Sequence, residues 1–376
     1  MIALTSIIER FESDFLNQYQ SAILPGHRQA LGAMKGCRSS TLALRMLARC
    51  DACGEQRLVP HSCGHRSCPH CQHHESQQWI ERQLQRQVPA SYFMLTFTVP
   101  AELRELAWQN QSWFYAKLFD CAWETVNDFS HNDKKLQGKP GAVAVLHTHS
   151  RRLDYHPHVH LVMPAAALDA KNNLWRTKCA KASKGLRQDK PYLFNHKALA
   201  KVFRAKLLAA IRQEGLALPA RLPEKWVVDC KCVGSGGPAL AYLGRYLYRG
   251  VIQEGHILSC KDGQVSFRYR DAKTGKMQVR TLSGAAFLWL LLQHVLPKGF
   301  RRARNFGFLH PNSKRLIALL HLTLRIVASP VQAWVKPRAT LRCPCCGEAM
   351  QIVRRRICPS APGREPDEAL SGVAML

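Results

Sequence analysis

Residues 142–163 constrain this chain more than any other stretch. Ala142–His147 is a short run with strand character, and His158-Val159-His160-Leu161-Val162 is another. The polar residues from Ser150 to Tyr155 suit a hairpin connection between them. Side chains alternate along a strand, so His158 and His160 share one face while Val159 and Leu161 share the other. Closing the hairpin brings His147 beside that pair, so three imidazoles can converge on one metal ion. His149 and His156 are further candidates for the third place.

A second stretch follows Gly234-Ser235-Gly236-Gly237. Residues 238–249 begin with Pro238 and stop before Gly250, the punctuation of a helix. Tyr242 and Tyr246 are four residues apart and therefore share a helix face. Arg245 and Arg249 form a basic row by the same spacing, and Tyr248 points elsewhere. Gly244 in mid-helix costs about 1 kcal/mol against alanine, which it can repay by allowing close approach of DNA or of a sheet.

Taken with the cysteines at the front of the chain, these residues resemble a known group. The His-Val-His pair and the Tyr-x-x-x-Tyr helix are similar to those of the HUH endonucleases, and the order of motifs resembles the two-tyrosine, rolling-circle transposases of the insertion-sequence-91 family. The resemblance covers roughly residues 45–310. It implies an α+β fold, in which a small zinc module precedes an HUH-type nuclease domain with a central antiparallel sheet and flanking helices. It also implies Mg²⁺ or Mn²⁺ at the histidines and Tyr242 and Tyr246 as nucleophiles forming 5′-phosphotyrosine links. Relaxases of the same group carry a third metal histidine eleven residues before the pair, which favours His147 over His149 or His156. Where related transposases often carry Trp-Gly-Gln, this chain has Ser150-Arg151-Arg152 after His149.

Fifteen cysteines, an odd number clustered in CxxC spacings, fit metal ligation under reducing conditions better than disulfides. Cys50-x-x-Cys53 and Cys68-x-x-Cys71 suit one tetrahedral Zn²⁺. Cys63 is the first reserve, and His61, His65 and His70 are also within reach. Arg49, Arg57 and Arg66 are the nearby cations. Cys37 reads as a lone buried thiol. Cys343-Pro344-Cys345-Cys346 is half a knuckle, with Cys358 as a possible third ligand and no evident fourth.

Lysine plus arginine at 54 against 26 acidic residues leaves a net charge of +28, spread along the chain, which points to a polyanion partner. DNA is expected, as single strands and transposon-end hairpins. Candidate contacts are Arg245, Arg249, and Arg301, Arg302 and Arg304 beside the aromatic stretch ending at Leu309. The run Lys178, Lys181, Lys184, Arg187 and Lys190 either tracks phosphates or is a solvated face. Trp108, Trp113, Phe114, Phe119, Trp123 and Phe129, on an expected helix over 101–130, read as core in preference to a base-stacking stripe. Residues 165–235 read as alternating basic helix and loop.

The chain divides on these grounds into residues 1–90 (a helix plus the zinc module), 91–300 (the nuclease domain), and 301–376 (a basic helical segment with the partial cysteine knuckle and a flexible tail). No signal peptide or membrane span is visible, so a cytoplasmic, nucleoid-associated protein is expected, with no nucleotide cofactor. Three other readings stand beside the transposase. One is a replication initiator or relaxase of the same superfamily. Another is a histidine-triad nucleotide hydrolase using His156, His158 and His160. The third is a zinc-dependent DNA binder without catalysis.

Overall fold

The computed structural model describes residues 2–39, 44–169, 171–172, 174–178, 193–248, 250–271, 274–326 and 340–358. Two helices open the chain, α1 (Leu4–Gln18) and α2 (Pro25–Lys35), followed by strands β1 (Arg45–Cys50) and β2 (Gln56–Pro60) and helix α3 (His73–Leu84). Strand β3 (Tyr92–Thr98) leads into helices α4 (Arg104–Gln109) and α5 (Gln111–Asn132). Next come the hairpin β4 (Lys139–His149) and β5 (Tyr155–Pro164), then the shorter hairpin β6 (Ala166–Asp169) and β7 (Leu174–Thr177). Helix α6 (His196–Gln213), strand β8 (Val228–Cys232) and helix α7 (Gly237–Tyr248) complete the central part. The remaining elements are β9 (Ile257–Lys261), β10 (Gln264–Arg270), β11 (Met277–Ser283), α8 (Gly284–Leu292), β12 (Ala303–Gly307), α9 (Lys314–Thr323) and β13 (Met350–Ile357).

The main sheet runs β7-β6-β4-β5-β3-β8, with β12 also paired to β4, and its pairings are antiparallel. Alternation along the strands sorts their side chains into two cores. Phe93, Leu95, Phe97, Ala144, Leu146, Val159, Leu161 and Met163 face α5 and α6. Tyr92, Val143, Val145 and Val162 face α3 and α7 instead, together with Trp79, Ile80, Leu240 and Leu243. Each such buried side chain contributes roughly 1.5–3 kcal/mol over exposure. The three histidines continue the second set, so their face is covered by α7. A separate core joins α1, α2 and α8 to the β9–β11 sheet through Ile8, Phe11, Phe287 and Phe267.

Several expectations need correction. The segment after residue 165 begins with the β6–β7 hairpin, not with helix and loop. The expected helix over 101–130 is broken at Asn110 into α4 and α5. Its aromatics are core: Phe114 and Phe119 are buried, and Trp123 stacks on Phe306 at 5.1 Å. A boundary after residue 300 cuts through two of the three sheets, the main sheet, where β12 pairs with β4 (Ala303 opposite Val145), and a sheet of β2, β1 and β13, where β13 pairs with β1 (Cys50 opposite Met350). Local propensity could not disclose those long-range pairings. Lys181, Lys184, Arg187, Lys190 and the tail after Pro359 lie outside the described residues; Lys178, at the edge, is paired with Asp133.

Gly244 is explained by α3. A Cβ at this position would sit 2.3 Å from Ile80 Cγ1 and 2.9 Å from Trp79 Cε3, so the glycine lets α7 lie directly on α3. Ser76 Oγ donates to the Gly244 carbonyl at 3.0 Å across the same contact. Gly244→Val should therefore destabilise the fold by about 2–3 kcal/mol through overpacking, read as a lower urea midpoint with an unchanged slope. An unchanged midpoint would show that the helices are not locked here.

Candidate active site

Register builds the site. His147 on β4 lies directly opposite His158 on β5, and His160 lies opposite Val145, one step along the same face. The ring centres of His147 and His160 are 4.2 Å apart, and one nitrogen from each of the three rings falls within 4.8 Å of the others. Side-chain and backbone partners fix the rings. His158 Nδ1 donates to the His156 carbonyl at 2.7 Å, which leaves its Nε2 as a free acceptor. His160 Nδ1 is 3.0 Å from Thr96 Oγ1 on β3. His147 Nε2 is buried with no hydrogen-bond partner. A buried polar nitrogen left unpaired is costly, and a divalent ion would remove that cost, so the three rings fit a metal. His149 and His156 do not join the trio: His149 Nδ1 donates to the Ser150 carbonyl at 3.0 Å, and His156 Nδ1 lies 3.3 Å from Arg104.

Helix α7 crosses this face and delivers both tyrosines. The Tyr246 ring stacks on His147 with centres 3.2 Å apart and planes 15° apart, and its hydroxyl is buried and unpartnered. Arg302 lies beneath the same ring, its Cζ 4.6 Å from the ring centre, with Nε donating to the Leu146 carbonyl at 3.1 Å. Tyr242, one turn back, is 51% exposed, and its ring centre is 6.3 Å from that of His147. Burial raises both phenol pKa values; Arg302 opposes this at Tyr246 and Arg151 at Tyr242. The two rings open onto a cleft of about 540 Å³ whose walls carry Arg151, Arg245, Arg268 and Arg270.

The basic residues expected to touch DNA therefore separate. Arg245 lines the cleft and Arg301 is exposed. Arg249 lies outside the described residues. Arg302 and Arg304 are not free for phosphates: Arg302 holds Tyr246, and Arg304 pairs with Asp120 at 3.3 Å while covering Phe119. Arg66 donates to the carbonyls of Leu296, Pro297 and Phe300. Charge in a sequence cannot tell a guanidinium spent on carbonyls from one facing solvent. The cleft arginines Arg151, Arg268 and Arg270 were not singled out as DNA contacts. For Arg268 and Arg270 the available signal is the alternation Ser266, Arg268, Arg270 against buried Val265 and Phe267; Arg151, in the β4–β5 connection, has none of this kind. Thr96 had none.

The cysteines also sort differently from the sequence expectation. Cys50 and Cys53 do not meet Cys68 and Cys71. One cluster is Cys37, Cys63, Cys68 and Cys71, and the other is Cys50, Cys53, Cys343 and Cys346. Cys37, read as a lone thiol, has its sulfur 3.4 Å from that of Cys71, and Cys63, the reserve, is a full member at 3.6 Å. The two CxxC pairs are adjacent in sequence, yet β1 and β2 carry the first pair away into a separate sheet. Cys358 belongs to neither cluster. In the first cluster the sulfurs approach the edges of a zinc tetrahedron, about 3.8 Å for Zn–S bonds near 2.3 Å, so those four residues fit Zn²⁺.

The chain thus combines paired antiparallel strands bearing three histidines, a covering helix with two tyrosines, and two clusters of four cysteines. Residues 141–316 match the family described as "Putative transposase", and residues 7–99 match the "Transposase zinc-binding domain". The chain is 31% identical over 331 residues to "Putative transposase y4qJ" of Sinorhizobium fredii, covering 81% of this chain and 80% of that one. It is 30% identical over 286 residues to the "Transposase for insertion sequence element IS801" of Pseudomonas savastanoi pv. phaseolicola, covering 73% and 68%. The chain belongs to the insertion-sequence-91 family of transposases. Among the described residues, no helix is long and apolar enough to cross a membrane.

Burial leaves these histidines neutral at ordinary pH. His149 and His160 are lowered to about 4 by burial, as is His27 beneath Trp108, while His147 and His158 lie well below 6.5. The unfolded chain binds protons that the folded chain refuses, so stability is complete above about pH 6.5 and is lost as pH falls toward 4. The metal-free protein should accordingly show a urea midpoint that declines from pH 7 to pH 5. A midpoint that holds or rises through this window contradicts the neutral, buried cluster.

Proposed function

We propose that the protein nicks and rejoins single-stranded DNA at transposon ends, by rolling-circle transposition through 5′-phosphotyrosine intermediates. One observation carries the reading: the Tyr246 ring lies against His147, a member of the imidazole trio, and its buried hydroxyl makes no well-formed hydrogen bond. A polar group left this way needs a partner, and a scissile phosphate drawn to the trio would provide one.

The cleft arginines Arg151, Arg245, Arg268 and Arg270 would hold the strand by its phosphates, with Tyr242 at the mouth and Tyr246 inside. A tyrosine oxygen attacks phosphorus and loses its proton, the bond to the 3′-oxygen breaks, and that oxygen leaves as a 3′-hydroxyl. The enzyme keeps the 5′-phosphate as an ester, so the linkage energy is conserved and rejoining needs no nucleotide. Mg²⁺ or Mn²⁺ held by His147, His158 and His160 would supply Lewis-acid stabilisation of the charge on the non-bridging oxygens. Phenols are poor nucleophiles while protonated; Arg302 beneath Tyr246 and Arg151 near Tyr242 each favour the phenolate. Two phenols allow a second strand to be opened while the first adduct is held, as transfer to a new site requires.

The histidine-triad reading is disfavoured because His147, not His156, completes the trio. A relaxase or replication initiator would use the same chemistry, but the family assignment favours transposition. The test is incubation with a labelled single-stranded transposon end and Mn²⁺, followed by mass mapping of the adduct. The adduct should map to Tyr242 or Tyr246. Tyr242→Phe with Tyr246→Phe should abolish it, and His158→Ala should reduce it by on the order of 10²-fold or more. An adduct at another residue, or full cleavage by the double variant, would overturn the mechanism.

A further inference from the structure

Two segments at opposite ends of the chain share one backbone design. Residues 50–55 read Cys-Asp-Ala-Cys-Gly-Glu and residues 343–348 read Cys-Pro-Cys-Cys-Gly-Glu. In the first, the Cys50 amide donates to the Glu55 carbonyl at 2.8 Å and the Gly54 amide to the Cys50 carbonyl at 2.9 Å. In the second, the Cys343 amide donates to Glu348 at 2.7 Å and the Gly347 amide to Cys343 at 2.9 Å. Gly54 and Gly347 hold left-handed φ values of 75° and 76°, a backbone that glycine takes without steric cost. The amides of Glu55 and Glu348 point at the sulfurs of Cys53 and Cys346 in matching fashion. Both turns are knuckles of the kind that presents two thiolates to an ion.

The knuckles face each other. Cys50 Sγ is 3.5 Å from Cys346 Sγ, and Cys53 Sγ is 3.6 Å from Cys343 Sγ. A disulfide needs about 2.05 Å, whereas sulfurs around Zn²⁺ are separated by about 3.8 Å. The surroundings supply an independent argument. Among the described residues, the sheet β2–β1–β13 buries Ala48, Cys50, Cys343 and Met350, two of them the cysteines themselves, with Val59, Leu341 and Ile352 partly buried against them. So few buried side chains cannot fix three strands, and small modules of this kind need a metal or a covalent staple.

We propose that Cys50, Cys53, Cys343 and Cys346 hold a second structural Zn²⁺, separate from the ion at Cys37, Cys63, Cys68 and Cys71. This ion fastens the C-terminal strand β13 onto β1 across 290 or more residues of sequence. The matched zinc-binding domain ends at residue 99 and so contains half of these ligands. Closure also places Arg354, Arg355 and Arg356 of β13 on the sheet that carries Arg49 and Arg57.

The test uses the full-length protein produced with Co²⁺, whose thiolate charge-transfer absorption counts sulfur-bound ions and ignores the histidine site. The wild type should show two such ions per chain, and Cys343→Ser with Cys346→Ser should show one, with trypsin then cutting at Arg354–Arg356 where the wild type resists. Because the variant could misfold, the wild-type count stands on its own. One sulfur-bound ion in the wild type, an unchanged count in the variant, or a Cys50–Cys346 disulfide found by mass mapping would each overturn the proposal.

Discussion

The pairing of β4 with β5 is the interaction on which the rest depends. With His147 opposite His158 and His160 two residues further on, three imidazoles enter one face of the sheet while Leu146, Val159 and Leu161 enter the other. A slip of one residue would send the histidines into the α5–α6 core and the aliphatic side chains under α7. Both faces are covered, so the register is held from two sides. The histidine trio is thus a by-product of the same alternation that builds the hydrophobic core.

The tyrosine helix is placed with equal economy of means. Gly244 removes the side chain that would separate α7 from Ile80 and Trp79. Arg302, reaching in from just before β12, bonds the Leu146 carbonyl and lies under Tyr246. A residue just ahead of β12 therefore positions a side chain of α7 against a histidine of β4. This dependence explains why the region after residue 300 cannot be a detachable appendage. The same logic recurs at the front, where β13 completes the sheet begun by β1.

The parts of the site that repeat with a local period were legible in the sequence. Alternation gave β3, the β4–β5 hairpin and β8, and the four-residue spacing of Tyr242 and Tyr246 gave their shared face on α7. What failed were pairings that no local pattern encodes. The first CxxC was matched to the second because they are neighbours in sequence, whereas its sulfurs meet Cys343 and Cys346. Cys37 looked solitary for the same reason. Arg302 and Arg304 looked like DNA contacts because charge was visible and carbonyl acceptors, Asp120 and Phe119 were not. A partial knuckle with no fourth ligand nearby was itself a sign of a distant partner, and the shared Cys-x-x-Cys-Gly-Glu pattern pointed to which one.

The central claim is that His147, His158 and His160 grip one ion beside Tyr246. Anomalous diffraction from crystals grown with Mn²⁺ tests it most directly. The account requires a manganese peak at bonding distance from all three rings, on the side where the Tyr246 hydroxyl lies. A peak bound elsewhere, with the trio bare, would contradict it.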